Sequence, residues 1–482
     1  MTLYEDISKI VGEDRVSRHE LDLLCYSRDL APMPDELLRG YGMLRPKLVA
    51  KPNTIDEVKE IMKYAYLKNI PVTLRGGATF GLGGVLPMDG GLVLDLCGMR
   101  RILEFNPEDE YVRVQTGCEW KRVIDYVEAR GYTIGANPSS GPSSTIGGFI
   151  STGGSGGIGT IRHGPVGDQI VGMKVVLANG ELIETDPWSS WMFVGSEGTL
   201  GIILEVTLKI FKLGKRSYLM YGFDKLDDAI RALERLCELR PYFLSLIDKN
   251  LITLLNKKGH HLPEKETVFV VDGDEAKVTE ICGKGIKYRE GLAREEWENR
   301  YKTILSIKGL GPTIFPPELQ VPIKRFYDTI LDLRGLIKNL EYGIEAMVNS
   351  DGMVSVLPTI LTDERKKSEY FRVCSLTRRI SNIAYKNGGC VYGIGVYNTP
   401  HMSRIHGKSL KVMRRIKKGL DPKNILNPGK TIHYKIPGIF MNLSMIAMEI
   451  IPTIMVFSLE LVNYVPLRLL RLGLRFVGGK MK

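Results

Sequence analysis

Three glycine-rich segments in the first half of the chain carry its most distinctive chemistry. They are R-G-G-A-T-F-G-L-G-G (75–84), P-S-S-T-I-G-G-F-I-S-T-G-G (142–154) and F-V-G-S-E-G-T-L-G-I-I-L-E-V-T (193–207). Each reads as a strand-to-loop or loop-to-helix junction whose backbone N–H groups can face a ligand. A nest of this kind binds phosphate without needing a lysine. One such loop would mean little, because any tight turn recruits glycine. Three in fixed order, with strand patterns between them, point to a large pyrophosphate-bearing cofactor. Gly76, Gly77, Gly81, Gly83 and Gly84 allow close approach of backbone to phosphate, and Arg75 can add charge. The spacing is not the Rossmann fingerprint, which needs G-x-G-x-x-G at a strand–helix junction with an acidic residue about twenty positions on. It is not a Walker loop either, since no Gly-Lys-Ser/Thr follows.

The elements that must hold these loops follow from periodicity and caps. A helix is expected over 55–67, with Asn53 or Thr54 as N-cap and Asp56 and Glu57 in its first turn, leading into a strand over 70–74. Further strands are expected over 92–96, 111–115, 174–177 and 202–210, with a helix over 120–129. Beyond residue 213 glycine thins out. Helices are expected there over 226–239, 294–305, 321–336 and 363–387, with strands over 267–272 and 344–348 and a returning helix over 409–418. A chain of 482 residues is too long for one core.

Composition narrows the class. Apolar residues make up 44% and charged residues 25%, as in ordinary globular proteins. The net charge of +11 comes without an aromatic-interleaved basic patch or a helix-turn-helix, so nucleic acid is not expected as a partner. Cys25, Cys97, Cys118, Cys237, Cys282, Cys374 and Cys390 are scattered singly with no C-x-x-C pair, so neither an iron–sulfur cluster nor a structural zinc is encoded. This set suits a reducing cytoplasm, and the opening M-T-L-Y-E-D has no signal-peptide character.

The C-terminal stretch is unusual. Residues 436–467 carry Glu449 and Glu460 as their only charges and are broken by prolines, so no clean span of about twenty apolar residues forms. In R-L-L-R-L-G-L-R-F-V (468–477), Arg468, Arg471 and Arg475 fall within roughly 60° on a helix. Such a basic amphipathic helix is expected to lie on an anionic membrane surface. The expected location is therefore peripheral, on the cytoplasmic side of a membrane.

The three loops resemble those of the FAD-binding domain shared by the vanillyl-alcohol oxidase / p-cresol methylhydroxylase superfamily, in particular the branch of D-lactate dehydrogenases and the glycolate oxidase flavoprotein subunit. L-L-C-Y-S-R-D (23–29), G-D-Q-I-V-G-M-K-V-V-L-A-N-G-E (167–181) and G-L-D-P-K-N-I-L-N-P-G-K (419–430) carry the likeness further. The resemblance implies an α+β fold: a two-subdomain FAD-binding domain of the p-cresol methylhydroxylase type over 1–212 with a C-terminal return at 388–435, an α+β cap (substrate) domain over 213–387, and a hydrophobic helical tail over 436–482. It also implies roles. Gly76, Gly77, Ala78, Thr79, Gly81 and Leu82, with Arg75 beside them, would wrap the FAD pyrophosphate. Pro142, Thr145, Ile146, Gly147 and Gly148 would line the diphosphate and ribityl chain. Gly153, Ser155 and Gly157 would lie near the isoalloxazine. Gly195, Glu197, Gly198, Gly201 and Ile202 would close over the adenine side, with Asn427 and Lys430 near the flavin ring. Ala78 stands where some relatives carry a flavin-linking histidine, so the FAD is expected to be non-covalent.

The implied activity is oxidation of a small 2-hydroxy acid, D-lactate-like or glycolate-like, with hydride passing to flavin N5. Electrons would go on to a quinone or to an iron–sulfur or cytochrome partner, because the chain encodes no second redox centre. Such chemistry needs a base for the hydroxyl and a cation for the carboxylate. Arg300 in W-E-N-R-Y and Arg325 in V-P-I-K-R-F match positions where the lactate branch carries arginine, whose planar fork grips carboxylates. The branch's H-x-G-D-G-N-x-H-like and E-H-G-I-G-like segments appear here as V-N-S-D-G-M-V-S-V-L-P (348–358) and G-G-C-V-Y-G-I-G-V-Y-N (388–398), without histidine. No metal is therefore expected. Tyr392 is the expected replacement base, helped by a cation such as Arg300 because tyrosine titrates near about 10. His260, His261, His401 and His406 read as structural. Two other outcomes stay open: an oxidase of another alcohol or sugar on the same scaffold, and a flavin-binding subunit of a membrane complex with no substrate chemistry of its own.

Overall fold

The computed structural model describes residues 2–32, 45–154, 156–272, 274–315 and 317–432. The expected tail over 436–482 lies outside the described residues. Three sheets organise the chain. In the first, Val16–Ser17, Leu48–Ala50, Leu92–Asp95 and Val72–Arg75 lie side by side in that order, the last three parallel. The second is antiparallel and centred on Ile202–Lys212, flanked by Tyr111–Gln115 with Ile102–Asn106 beyond it, and by Ile170–Val176 with Leu182–Thr185 beyond it. Ile202 and Leu204 start that central strand and share a buried cluster with Leu92 and Leu94 of the first sheet and with Val58 and Ile61 of the helix Ile55–Lys68 that covers it. The two sheets are thereby locked together, and the glycine loops emerge where they meet.

Helix Ile55–Lys68 shows how local sequence builds this layer. The Thr54 hydroxyl accepts from the Glu57 N–H, Asn69 ends the helix in the left-handed region at φ 54°, and Val58, Ile61, Met62 and Ala65 form the buried face. Helix Trp120–Glu128 does the same for the second sheet through Trp120, Val123, Ile124 and Val127.

Among the described residues the third sheet has nine strands, antiparallel throughout. Its main path runs Ile286–Lys287, Ser217–Phe223, Glu266–Asp272, Phe243–Ile247, Tyr342–Val348, Met353–Thr362, Leu319–Pro322 and Cys390–Val391, with Thr313–Phe315 also paired to Met353–Thr362. One face is covered by helices Leu226–Glu238, Phe326–Ile337 and Lys367–Lys386 through Leu233, Ile330, Leu333 and Ile380. The other face packs Phe243 and Phe269 on Trp297 and then turns Met347, Ser355 and Leu357 toward the glycine loops.

Several expected boundaries move. The helix expected over 321–336 begins only at Phe326, because Val321 and Pro322 end a strand in which Val321 pairs with Val354. Proline forces its predecessor out of the helical region, which keeps that stretch extended. The helix expected over 294–305 splits into Glu290–Asn299 and Thr303–Ser306. The histidine-free stretch around residue 350 is a hairpin between Tyr342–Val348 and Met353–Thr362, with Asn349 Nδ2 donating to Ser355 Oγ at 2.9 Å. Cys390–Val391 still belongs to the third sheet, and the chain crosses back just after it. There the N–H groups of Val396 and Tyr397 donate to the Leu82 carbonyl at 2.8 and 3.2 Å.

Candidate active site

A cavity of about 310 Å³ lies between the glycine loops and the open face of the third sheet. The first loop contributes Arg75, Gly76, Gly77, Ala78 and Thr79; the second Thr145, Gly147 and Gly148, with Gly157 beyond it; the third Glu197 and Gly198; the C-terminal return Asn427. The third sheet closes the cavity with Glu318, Met347, Ser355 and Leu357, and Tyr392 follows its last strand. Sequence reasoning thus gathers residues 75 to 427 on one wall, but some expected members sit behind it. Ile146 and Ile202 are core residues. Gly153 and Gly195 pack against each other, a Cβ on Gly153 falling 3.2 Å from Gly195 Cα, and Gly201 lies under Phe193 and Val175. Gly81 and Leu82 line a separate small chamber, Pro142 lines neither cavity, and Ser155 lies outside the described residues.

The two arginines expected to hold a carboxylate do not line the cavity. Arg300 donates to the Trp297 carbonyl at 2.5 Å and the Tyr301 hydroxyl at 2.7 Å, with its guanidinium over both rings. Arg325 is half exposed and pairs with Asp328 at 3.1 Å and Asn387 at 3.3 Å. Among the described lining residues Arg75 is the only cation. It reaches back to the Arg28 carbonyl at 2.6 Å and lies 5.0 Å from the Tyr26 ring, pinning residues 23–29 over the first loop.

The cavity fits FAD on its own features. The backbone N–H groups of Gly77, Ala78 and Thr79 find no acceptor among the described residues, the state a phosphate-binding nest needs. Ala78, Glu197 and Asn427 all line the wall in the left-handed region, at φ 51°, 49° and 42°. Non-glycine residues adopt this region uncommonly, and three of them meet on this wall. Ala78 has no nucleophilic atom, so that position offers no covalent attachment.

Beneath the first and third loops lies a buried polar cluster. Glu197 Oε1 accepts from the Gly395 N–H at 2.7 Å, while its Oε2 is buried without a partner among the described residues. Lys430 donates to the Gly84 carbonyl at 2.7 Å and to Asn427 Oδ1 at 3.3 Å. Burial pushes Glu197 up to about 7 and Asp29 up to about 6, and holds Lys430 down to about 7. Folded Glu197 therefore keeps a proton that the unfolded chain loses above its ordinary 4.5. Its contribution to stability is present below that value and is lost as pH rises through about 7. Glu197→Gln keeps the bond to Gly395 and removes the titration. In thermal unfolding of the FAD-free protein, the variant is expected to gain on the order of 2–3 kcal/mol over the wild type between weakly acidic and weakly alkaline pH. Parallel pH curves for the two proteins would refute this assignment.

Sequence reasoning missed Glu318, the one acidic residue that the third-sheet side contributes to the cavity lining, just ahead of strand Leu319–Pro322. The signal available was a strand pattern, L-Q-V before Pro322, with an acid at its mouth. His260 and His401 are engaged with Glu296 and Tyr385, as their structural reading requires. Among the described residues no group of three or more His, Cys, Asp or Glu is placed to hold a metal.

This arrangement defines a flavin-binding protein with two linked nucleotide-holding sheets and a third sheet over the reactive end. The family described as FAD binding domain matches residues 46–186, and the family described as FAD linked oxidases, C-terminal domain, matches 213–431. The Glycolate oxidase subunit GlcD of Bacillus subtilis (strain 168) is 28% identical over 459 residues, covering 88% of this chain and 96% of that protein. The mitochondrial D-lactate dehydrogenase (cytochrome) of Arabidopsis thaliana is 27% identical over 425 residues, covering 80% and 73%. Among solved structures, p-cresol methylhydroxylase with substrate bound shares the fold at a TM-score of 0.75 and 17% identity, over 89% of this chain and 96% of that one. The chain belongs to the FAD-linked oxidases: it is an FAD-dependent oxidoreductase.

Proposed function

We propose that this chain is a dehydrogenase that oxidises the CH–OH carbon of a small hydroxy compound and hands the electrons to a quinone or a partner redox protein. The observation that carries this reading is the single cavity shared by the glycine loops and the Glu318, Met347, Ser355, Leu357 and Tyr392 end of the third sheet. FAD, when bound, supplies a hydride acceptor. Gly76 to Thr79, Gly147, Gly148 and Asn427 would hold it, and the third sheet excludes water above the reacting carbon. The relatives support hydroxy acids of the lactate and glycolate kind as substrates. The placement of Arg300 and Arg325 favours a second reading, an alcohol without a carboxylate beside its hydroxyl.

The deciding experiment is an anaerobic absorbance spectrum of the purified holoprotein before and after adding 2-hydroxy acids and uncharged alcohols. Bleaching of the flavin band by a member of either group establishes the reaction and chooses between the substrates. A flavin that no member bleaches would make the chain a flavin-binding subunit without this chemistry.

The reading includes peripheral membrane attachment through residues 468–477. Among the described residues no helix is long and apolar enough to cross a membrane. Deleting 436–482 is expected to abolish co-sedimentation with anionic lipid vesicles, and unchanged co-sedimentation would remove the tail from the proposal.

A further inference from the structure

Glu318 sits at a junction that no other acidic residue occupies. It and Leu319 line both the main cavity and a second, much smaller chamber of about 20 Å³. That chamber has room for about one water molecule. Thr377, Ser381, Tyr397 and Asn398 are among the residues that line it. The Glu318 backbone is fixed, since its carbonyl accepts from the Tyr392 N–H at 3.0 Å and Leu319 next to it pairs with both Val356 and Val391. Its carboxyl, by contrast, forms no hydrogen bond or ion pair with the described residues.

We propose that the Glu318 carboxylate is the group that accepts the substrate's hydroxyl proton, with the small chamber as that proton's way out. This rests on the function proposed above. The O–H bond breaks, its electron pair forms the C=O, the proton passes to Glu318, and the C–H pair leaves as hydride to the FAD, which is the oxidant. The proton then moves from Glu318 to a water in the chamber. Burial alone raises this carboxyl to about 7, the range where a base is both ionised and able to hold a proton near neutrality. The titratable and charged groups around it are Tyr392, Glu197 and Arg75 in the main cavity, Tyr397 in the small chamber, Cys390 on the adjoining strand, and Glu345, which shares the sheet face with Ser355 and Leu357. Tyr392 is the weaker candidate: its hydroxyl is committed to the Gly156 N–H at 3.1 Å, a positioning contact.

Single-turnover flavin reduction tests this. Glu318→Gln is expected to lower the rate by roughly 10²- to 10⁴-fold and to abolish the rise of rate with pH near 7. The flavin spectrum should be retained, and Glu318→Asp should restore part of the rate. Tyr392→Phe should lose less than about tenfold, and Glu345→Gln should keep its rate. Oxalate, a carboxylate with no C–H to transfer, gives a readout free of turnover. Its affinity for the wild-type holoprotein should fall as Glu318 ionises, and should lose that dependence in Glu318→Gln. If the wild type reduces its flavin and Glu318→Gln keeps the same rate, the proposal alone falls. A loss in Tyr392→Phe equal to that in Glu318→Gln also overturns it, as does an oxalate affinity in the wild type that ignores pH. If no substrate reduces the wild-type flavin, the functional reading falls and takes the proposal with it.

Discussion

Gly77→Ala is expected to yield a folded but colourless protein. A Cβ on Gly77 would stand 1.9 Å from the Ser143 carbonyl oxygen and 3.0 Å from its carbon. The obstacle is backbone, so no rotamer change can relieve it. Ser143 cannot retreat either. Its own N–H and that of Ser144 both donate to the Ser140 carbonyl, and the Gly141 and Ser144 carbonyls accept from Lys121 and Trp120 at the start of a buried helix. The first loop must therefore move away from the second. Overpacking of this kind costs about 1–3 kcal/mol. It also opens the wall at the point where Gly77, Ala78 and Thr79 aim free N–H groups into the cavity. A loss of FAD affinity of at least about 100-fold is expected, equivalent to about 2.7 kcal/mol. Gly214→Ala is the control, because nothing lies within 4 Å of its added methyl. Titration of both apoproteins with FAD decides the matter, and a Gly77→Ala variant that binds like the control would show that the loops do not hold the cofactor through this contact.

That contact explains why the cofactor half was legible in the sequence and the substrate end was not. Glycine is required at residue 77 by proximity to another chain segment, and such a requirement leaves a residue type behind. The three segments therefore announced both the loops and their partnership. Arginine leaves no such trace. Arg300 and Arg325 are the arginines the resemblance singles out, yet a guanidinium takes whichever acceptors its surroundings offer, here the Trp297 carbonyl and the Tyr301 hydroxyl, or Asp328 and Asn387. Glu318 was invisible for a related reason. It stands just before a four-residue strand that periodicity assigned in part to a helix, and only the pairing of Leu319 with Val356 turns it toward the cavity. Short strands buried by pairing carry too few residues for period-two alternation to be read. The helix Ser409–Leu420 is a middle case: its amphipathic pattern was readable, but which of its lysines is buried was not.

The buried lysine is Lys417, and Lys417→Met is expected to be the most destabilising single change outside the loops. Its side chain is 2% exposed and donates to Asp421 Oδ2 at 2.5 Å, the Thr199 carbonyl at 2.8 Å and the Leu426 carbonyl at 3.0 Å. Asp421 is wholly buried and accepts from the Ile425 and Leu426 N–H groups. One ammonium thus ties the third glycine loop to the return segment. That segment in turn sets Asn427, which accepts from the Leu74 N–H at 3.2 Å and donates to the Glu197 carbonyl at 2.6 Å. Methionine fills the volume of lysine but leaves Asp421 charged in an apolar surround. Breaking a buried pair in this way costs roughly 3–5 kcal/mol, much of it the desolvation of the abandoned charge. Because the strain falls on Asn427 and the third loop, FAD affinity should fall along with the urea midpoint. The double variant Lys417→Met with Asp421→Asn removes the abandoned charge and keeps an acceptor for Ile425 and Leu426. It should recover a substantial part of the loss, since removing both charges of a buried pair is far milder than removing one. A double variant no more stable than Lys417→Met would mean that the lost bonds to Thr199 and Leu426, rather than the stranded carboxylate, set the cost.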